Sequence, residues 1–259
     1  MIPPPFPVWA LAALLGLLIG SFLNVVIYRM PRGMSVVLWR SRCPHCGHEI
    51  RFFDNVPVLS WLWLRGRCRD CRAPISPRYP LVEALTGALF ALLALRFGAQ
   101  PALAFRMFFA AAMVAVVFID LEHQIIPDRI TLPGTALGLL ASVFGPPGLR
   151  DAALGAAVGG GWLYLVGLAY RKLRGVEGMG GGDVKLGLML GAFTGWQGAV
   201  FAVLAASAAG TLVGLGLIAG RRASARTALP FGSFLAPAAV LALFVAPAFF
   251  SWYGAILSR

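Results

Sequence analysis

Eight runs of apolar residues leave this chain little choice of fold. They lie at about residues 8–28, 81–97, 101–119, 130–144, 151–169, 184–195, 198–219 and 231–250. A bilayer core of about 30 Å is crossed by about 20 helical residues. Within hydrocarbon, each backbone N–H and C=O must find its partner inside the chain, so such runs become helices. The runs at 130–144 and 184–195 are short for a crossing. With 59% hydrophobic and 12% charged residues, a soluble domain is excluded. The expected fold class is an all-α polytopic membrane protein with about eight transmembrane helices. The first run is not expected to be a cleavable signal, because no basic stretch precedes it and further runs follow.

The net charge of +12 invites a nucleic-acid reading, but its distribution argues for topology. The segments 29–80, 120–129, 170–185 and 220–230 fall on one side and hold 18 of the 22 Lys and Arg. Three of the 18 are Arg221, Arg222 and Arg226. Arg96, Arg106, Arg150 and Arg259 fall on the other side. This asymmetry is the positive-inside pattern, which puts residues 29–80 in the cytosol and both termini outside. A basic cytosolic face also suits anionic lipid headgroups. A nucleic-acid partner is not expected.

The expected organisation is a first transmembrane helix at 1–28, a cytosolic module at 29–80 and a membrane domain at 81–259. The module holds all four cysteines, as Cys43-Pro-His-Cys46 and Cys68-Arg-Asp-Cys71, with 21 residues between the pairs. Each C-x-x-C turn can place two thiolates on one ion, and two turns complete a tetrahedron. The separation is slightly longer than the usual range, which a loop absorbs. Disulfides are disfavoured in a reducing cytosol. A structural Zn2+ on Cys43, Cys46, Cys68 and Cys71 is therefore expected, with no open position for water. His45 and His48 are minor competitors, and turns and short strands are expected around the site. Gly159–Gly160–Gly161 inside a span reads as close helix packing.

Two of the ten acidic residues stand at membrane boundaries in unusual surroundings. Asp120 ends the third run, and Asp183 follows Gly178-Met-Gly-Gly-Gly182 and opens the sixth. A carboxylate near hydrocarbon is costly and marks a candidate functional site. The assigned topology brings both to one depth on one side, although they are 63 residues apart. A carboxyl pair sharing one proton can activate water. Gly178, Gly180, Gly181 and Gly182 are expected to permit positive φ and close approach. Lys185 adds a nearby positive charge. Asp183 opens a helix whose N-terminus favours negative charge, whereas Asp120, at a helix C-terminus, is expected to keep the shared proton. Glu122, His123 and Asp128 read as ordinary boundary residues, Asp128 as an N-cap beside Pro127.

These residues resemble the bacterial prepilin peptidases, or type IV leader peptidases, membrane aspartic proteases with a G-x-G-D signature. Gly180-Gly-Gly182-Asp183, with Gly178 before it and Val184-Lys185-Leu186 after, is similar to that signature. Asp120 with Ile126-Pro127-Asp128 and Thr131-Leu132-Pro133 resembles the first catalytic-aspartate motif. Gly20-Ser-Phe-Leu-Asn24-Val25 leading to Tyr28-Arg29 is similar to the first-span motif. The cysteine pairs, Asp54-Asn55-x-Pro57 and Tyr79-Pro80 before Glu83 resemble the cytosolic module of the longer members, and Pro230-Phe231-Gly232 a motif near their last span. The matches run in order over about residues 16–236.

The resemblance implies an enzyme of the bacterial inner membrane. Its aspartic endopeptidase activity, carried by Asp120 and Asp183, would cut type IV prepilins and pseudopilins after a short basic leader, usually at a Gly–Phe bond. It also implies N-methylation of the new N-terminus from S-adenosylmethionine. Glu83 is a candidate for binding that amine, and Gly180, Gly182 and Lys185 would support the active site. A peptidase without methyl transfer, a proton-coupled transporter and a zinc-bearing scaffold are the alternatives. Oligomeric state is not legible.

Overall fold

The computed structural model describes residues 7–37, 40–176, 178–220 and 229–257. Arg221, Arg222, Arg226 and Arg259 of the charge argument lie outside these. Among the described residues eight α-helices form: α1 (Val8–Arg29), α2 (Leu59–Trp63), α3 (Arg78–Phe97), α4 (Pro101–His123), α5 (Asp128–Ala141), α6 (Leu149–Arg174), α7 (Gly181–Ala219) and α8 (Gly232–Leu257). All except α2 and α5 are long and apolar enough to cross a membrane. Outward leucines such as Leu14, Leu18 and Leu165 are more than half exposed, as a lipid-facing surface requires.

The two short runs have a common explanation. The 39-residue α7 is two helical stretches joined at Gly195 (φ 71°, ψ 179°), a left-handed break that only glycine adopts easily. The stretch before the break is therefore too short to span, as is the 14-residue α5. These two short pieces pack on each other. A Cβ at Gly138 would stand 2.8 Å from the Phe193 ring, and one at Gly134 would overlap Met189. Together with the six long helices, they account for all eight apolar runs of the membrane part.

Two compact units divide inside α4, at Ala115 and Val116. In the first, α1 and α3 are antiparallel neighbours whose backbones meet through small residues. A Cβ on Gly16 would lie 2.7 Å from the Gly87 Cα, and one on Gly20 would lie 2.6 Å from the Glu83 Cα. The buried Asn24 amide crosses the seam, donating to the Tyr79 carbonyl at 3.1 Å and to Gly20 at 3.3 Å. In the second unit, α6 meets α7 in the same way. A Cβ on Gly191 would overlap the Gly155 carbonyl, and one on Gly159 would overlap that of Gly187. Gly159 and Gly160 thus pack as their sequence suggests, while Gly161 faces open space.

No strand forms among the described residues of the cysteine module, contrary to expectation. Two isolated bridges, Arg42 with Glu49 and Arg67 with Pro74, close two equivalent knuckles. In each, the first Cys N–H bonds a carbonyl five residues on: Cys43 to His48 and Cys68 to Ala73, both at 2.9 Å. The residue four on then donates back, Gly47 to Cys43 and Arg72 to Cys68, both with positive φ. Pro74 and Pro77 have no N–H with which to extend the second ladder.

Candidate active site and metal centre

Asp120 lies one turn before the end of α4. The helix stops because Gln124 turns left-handed (φ 52°) while its N–H still reaches the Asp120 carbonyl at 2.9 Å. Asp120 is 4% exposed, and its Oδ2 accepts the Ser233 N–H at 2.7 Å. Ser233 belongs to the first turn of α8, so this carboxylate faces a helix N-terminus although it stands near a C-terminus of its own helix. Gly232 makes the approach possible, since a Cβ there would sit 2.9 Å from Oδ2 and 2.6 Å from Ile126 Cδ1.

Asp183 is the third residue of α7, with Gly180 as N-cap. Its half-buried carboxylate receives the backbone N–H groups of Gly180 and of Asp183 itself, as the acidic residue of a capping box does. The two aspartates come near enough for their charges to act on each other. Ile126, in the turn after α4, packs against the neighbours of both. It touches Gly232 beside Asp120, and a Cβ on Gly182 would stand 2.9 Å from its Cβ. The chain thus brings Asp120, Ile126, Gly182, Asp183, Gly232 and Ser233 to one place.

Three sequence expectations change here. Both carboxylates accept N–H groups at helix starts, so helix ends do not divide them into one acid and one base. None of Gly178, Gly180, Gly181 and Gly182 has positive φ. Close approach is their use instead, Gly178 under the Tyr170 ring and Gly182 on Ile126. Lys185 turns from Asp183 to Asp128, with Nζ at 2.8 and 2.7 Å from the two oxygens. Asp128 is a first-turn acid of α5 whose N-cap is Pro127. A cavity of about 200 Å³ beside α6 is lined by Gly181 and Val184. Neither Asp120 nor Asp183 lines it. Ile126 and Ser233 carried no signal from residue type alone. Only the Pro230-Phe231-Gly232 resemblance pointed to that turn.

In the first unit, Cys43, Cys46, Cys68 and Cys71 bring their four sulfurs within 4.8 Å of one another. Cys43 Sγ and Cys71 Sγ are 3.8 Å apart, far beyond a disulfide and close to the edge of about 3.8 Å for a tetrahedron with metal–sulfur bonds of about 2.3 Å. The donor set also asks for a cation. Burial opposes ionisation of Cys43, but the Cys46 and His45 N–H groups outweigh it and bring the thiol down to about 7. Cys46 has the His48 N–H in its favour, yet burial and the neighbouring sulfurs push it up to about 12. Four thiols this close cannot all ionise unless a divalent ion neutralises them. The cluster suits a tetrahedral metal.

Glu83 also belongs to this unit. It is 8% exposed, takes the Val58 N–H on Oε2 at 2.7 Å and accepts a hydrogen bond from the Ser21 side chain. Val58 holds φ at 62°, a strained value for a β-branched residue. Asp54 is clasped by Arg69 through Nε and Nη2 at 2.6 to 3.0 Å, which holds its carboxyl below the usual range.

The chain matches two family models, the bacterial peptidase A24 N-terminal domain over residues 14–97 and the type IV leader peptidase family over residues 107–215. It is 40% identical over 274 residues to the prepilin leader peptidase/N-methyltransferase of Aeromonas hydrophila, covering 96% of this chain and 94% of that one. The protein of that name from Stutzerimonas stutzeri is 40% identical over 90% of this chain and 89% of its own. The Myxococcus xanthus protein is 47% identical over 82% of this chain and 64% of its own. No solved structure matches. An apolar helical chain with two boundary aspartates brought together, a four-cysteine cluster and relatives of this extent is a member of the type IV leader peptidase family.

Proposed function

We propose that this protein is an aspartic endopeptidase of the bacterial inner membrane that removes the basic leader of type IV prepilins and pseudopilins, and that it N-methylates the new N-terminus. The observation that carries the reading is the meeting of Asp120 and Asp183, each carboxylate held by backbone N–H groups at the start of a helix. Such a pair carries one proton between two carboxyls, because like charges at close range do not both form. The ionised carboxylate takes a proton from water as the water oxygen adds to the scissile carbonyl carbon. The protonated partner donates its hydrogen to the carbonyl oxygen, giving a tetrahedral diol. Collapse breaks the C–N bond as the protonated carboxyl gives its proton to the leaving nitrogen and the other carboxylate takes a proton from a diol hydroxyl, which restores the singly protonated pair. Ser233 and Gly180 N–H groups fix the carboxylates for both steps. No acyl-enzyme forms.

The placement of basic residues supports a cytosolic active site and module, with both termini outside. A basic leader then stays in the cytosol while the apolar pilin helix rests in the bilayer. In the module, Zn2+ on the four cysteines is structural, since four thiolates leave no position for water. The methyl donor is S-adenosylmethionine, which supplies an electrophilic methyl group. The described residues contain no strand–glycine-loop–helix to cradle it, so its site is not assigned. Glu83 is the candidate to hold the acceptor amine. The reading divides the chain into a first span at 1–28, the zinc module at 29–80 and the peptidase domain at 81–259.

Cleavage of a prepilin panel by the reconstituted protein tests this. Asp120→Asn and Asp183→Asn each lower the rate by at least about 100-fold, the usual range for a lost proton-transfer group. Either mutant cutting at the wild-type rate removes that acid from the mechanism. Glu83→Gln, supplied with labelled S-adenosylmethionine and cleaved pilin, loses label while cleavage continues. Retained label removes Glu83.

A further inference from the structure

The cysteine module exposes more apolar surface than its two knuckles explain. Phe52 is 87% exposed, Trp63 83%, Leu59 66% and Leu62 58%, all within twelve residues. Helix α2 shows that this is directional. Trp61 turns into the module, where its Nε1–H reaches the Ile75 carbonyl at 3.1 Å and its ring covers Gly66. Leu59, Leu62 and Trp63 on the same short helix point away. An apolar face of this kind on a folded module marks an interaction surface.

Depth and charge identify what covers it. The Val58 N–H, immediately before α2, bonds the Glu83 carboxylate, which lies in the second turn of α3. Glu83 is roughly 7 Å along that helix from its start, so α2 begins alongside the first turns of a helix long enough to cross a membrane. Charge borders the apolar face. The Arg51 and Arg69 guanidinium groups stand 6.0 and 5.3 Å from the Phe53 ring. Residues 29–80 carry ten arginines and three acids. Each acid is already engaged by arginine, Glu49 by Arg40 and Arg42, Asp54 by Arg69 and Asp70 by Arg51. Arg65, Arg67 and Arg72 are exposed and have no acidic partner among the described residues. Exposed aromatic residues near the end of a membrane-length helix, on a module that carries uncompensated arginines, match the boundary of an anionic leaflet.

We propose that the face formed by Phe52, Leu59, Leu62 and Trp63 inserts into the headgroup–acyl boundary of the membrane, with Arg65, Arg67 and Arg72 on anionic phospholipid phosphates. The module is then held by lipid as well as by its two flanking spans. This does not depend on the peptidase reading.

The test uses the full chain in lipid nanodiscs made of phosphatidylcholine alone or with phosphatidylglycerol, each with and without lipids brominated near the glycerol end of the acyl chain. Trp63 emission is isolated as the difference between wild type and Trp63→Phe. Bromolipid is expected to lower that emission by about half or more, more strongly in discs containing phosphatidylglycerol. Phe52→Ser with Leu62→Ser is expected to speed proteolysis of the module several-fold while bound metal stays constant. Unquenched emission overturns the proposal, as does shielding that appears only when a prepilin peptide is added. Equal quenching in the two disc types overturns the assignment to anionic lipid.

Discussion

Gly232→Ala perturbs the support of Asp120 without replacing either carboxylate. A methyl group there would stand 2.6 Å from Ile126 Cδ1, 2.9 Å from Asp120 Oδ2 and 3.2 Å from its Cγ, where ordinary contact needs about 3.5–4 Å. Ile126 Cδ1 ends a side chain that can rotate away. The carboxylate cannot move without lengthening its 2.7 Å bond from the Ser233 N–H. A hydrogen bond to a charged group contributes about 1.5–3 kcal/mol, and one tenfold change in rate corresponds to about 1.4 kcal/mol. If that bond orients Asp120 for catalysis, leader cleavage falls about 10- to 150-fold. The strain itself costs about 1–3 kcal/mol of stability. Gly161→Ala is the matched control, because a Cβ there meets nothing within 4 Å and alanine suits a helix better than glycine. The assay is single-turnover cleavage of a prepilin in nanodiscs, with unfolding in detergent measured in parallel. Cleavage by Gly232→Ala within about twofold of wild type, at an unchanged unfolding midpoint, would refute the argument.

Other outcomes follow from the same structure. Gly191→Ala places a methyl on the Gly155 backbone, which has no flexible end to yield, so unfolding in detergent shifts by about 3 kcal/mol or more while Gly161→Ala leaves it nearly unmoved. Elemental analysis of the purified protein is expected to find one zinc ion per chain. A chelator or Cys43→Ser releases it and exposes the module to protease, and metal-free wild type with a folded module would contradict the four-thiolate centre. Asp54, whose carboxyl Arg69 holds below its usual range, stabilises the module above the ordinary carboxylate pKa of about 3.9, and that contribution disappears as pH falls through the lower folded value. The stability difference between wild type and Asp54→Asn is accordingly constant above about pH 5 and closes toward more acidic pH, whereas a pH-independent difference would deny the ion pair its role.

The lengths of the apolar runs and the spacing of the cysteine pairs are local quantities, and local quantities determine helix class and ligand geometry. That is why a membrane bundle and a four-cysteine cluster were legible in the amino acids alone, whereas the pairing of the two short runs came only from the structure. Other features depend on which distant backbones meet. Asp120 seemed to stand in the field of its own helix C-terminus, until the Ser233 N–H, more than a hundred residues away, supplied a helix N-terminus. Lys185 seemed placed for Asp183, two residues off, but found Asp128 across the fold. Glu83 gave no hint of the Val58 amide it secures. A main-chain donor looks the same at every position in a sequence, so only packing reveals which carboxylate it serves.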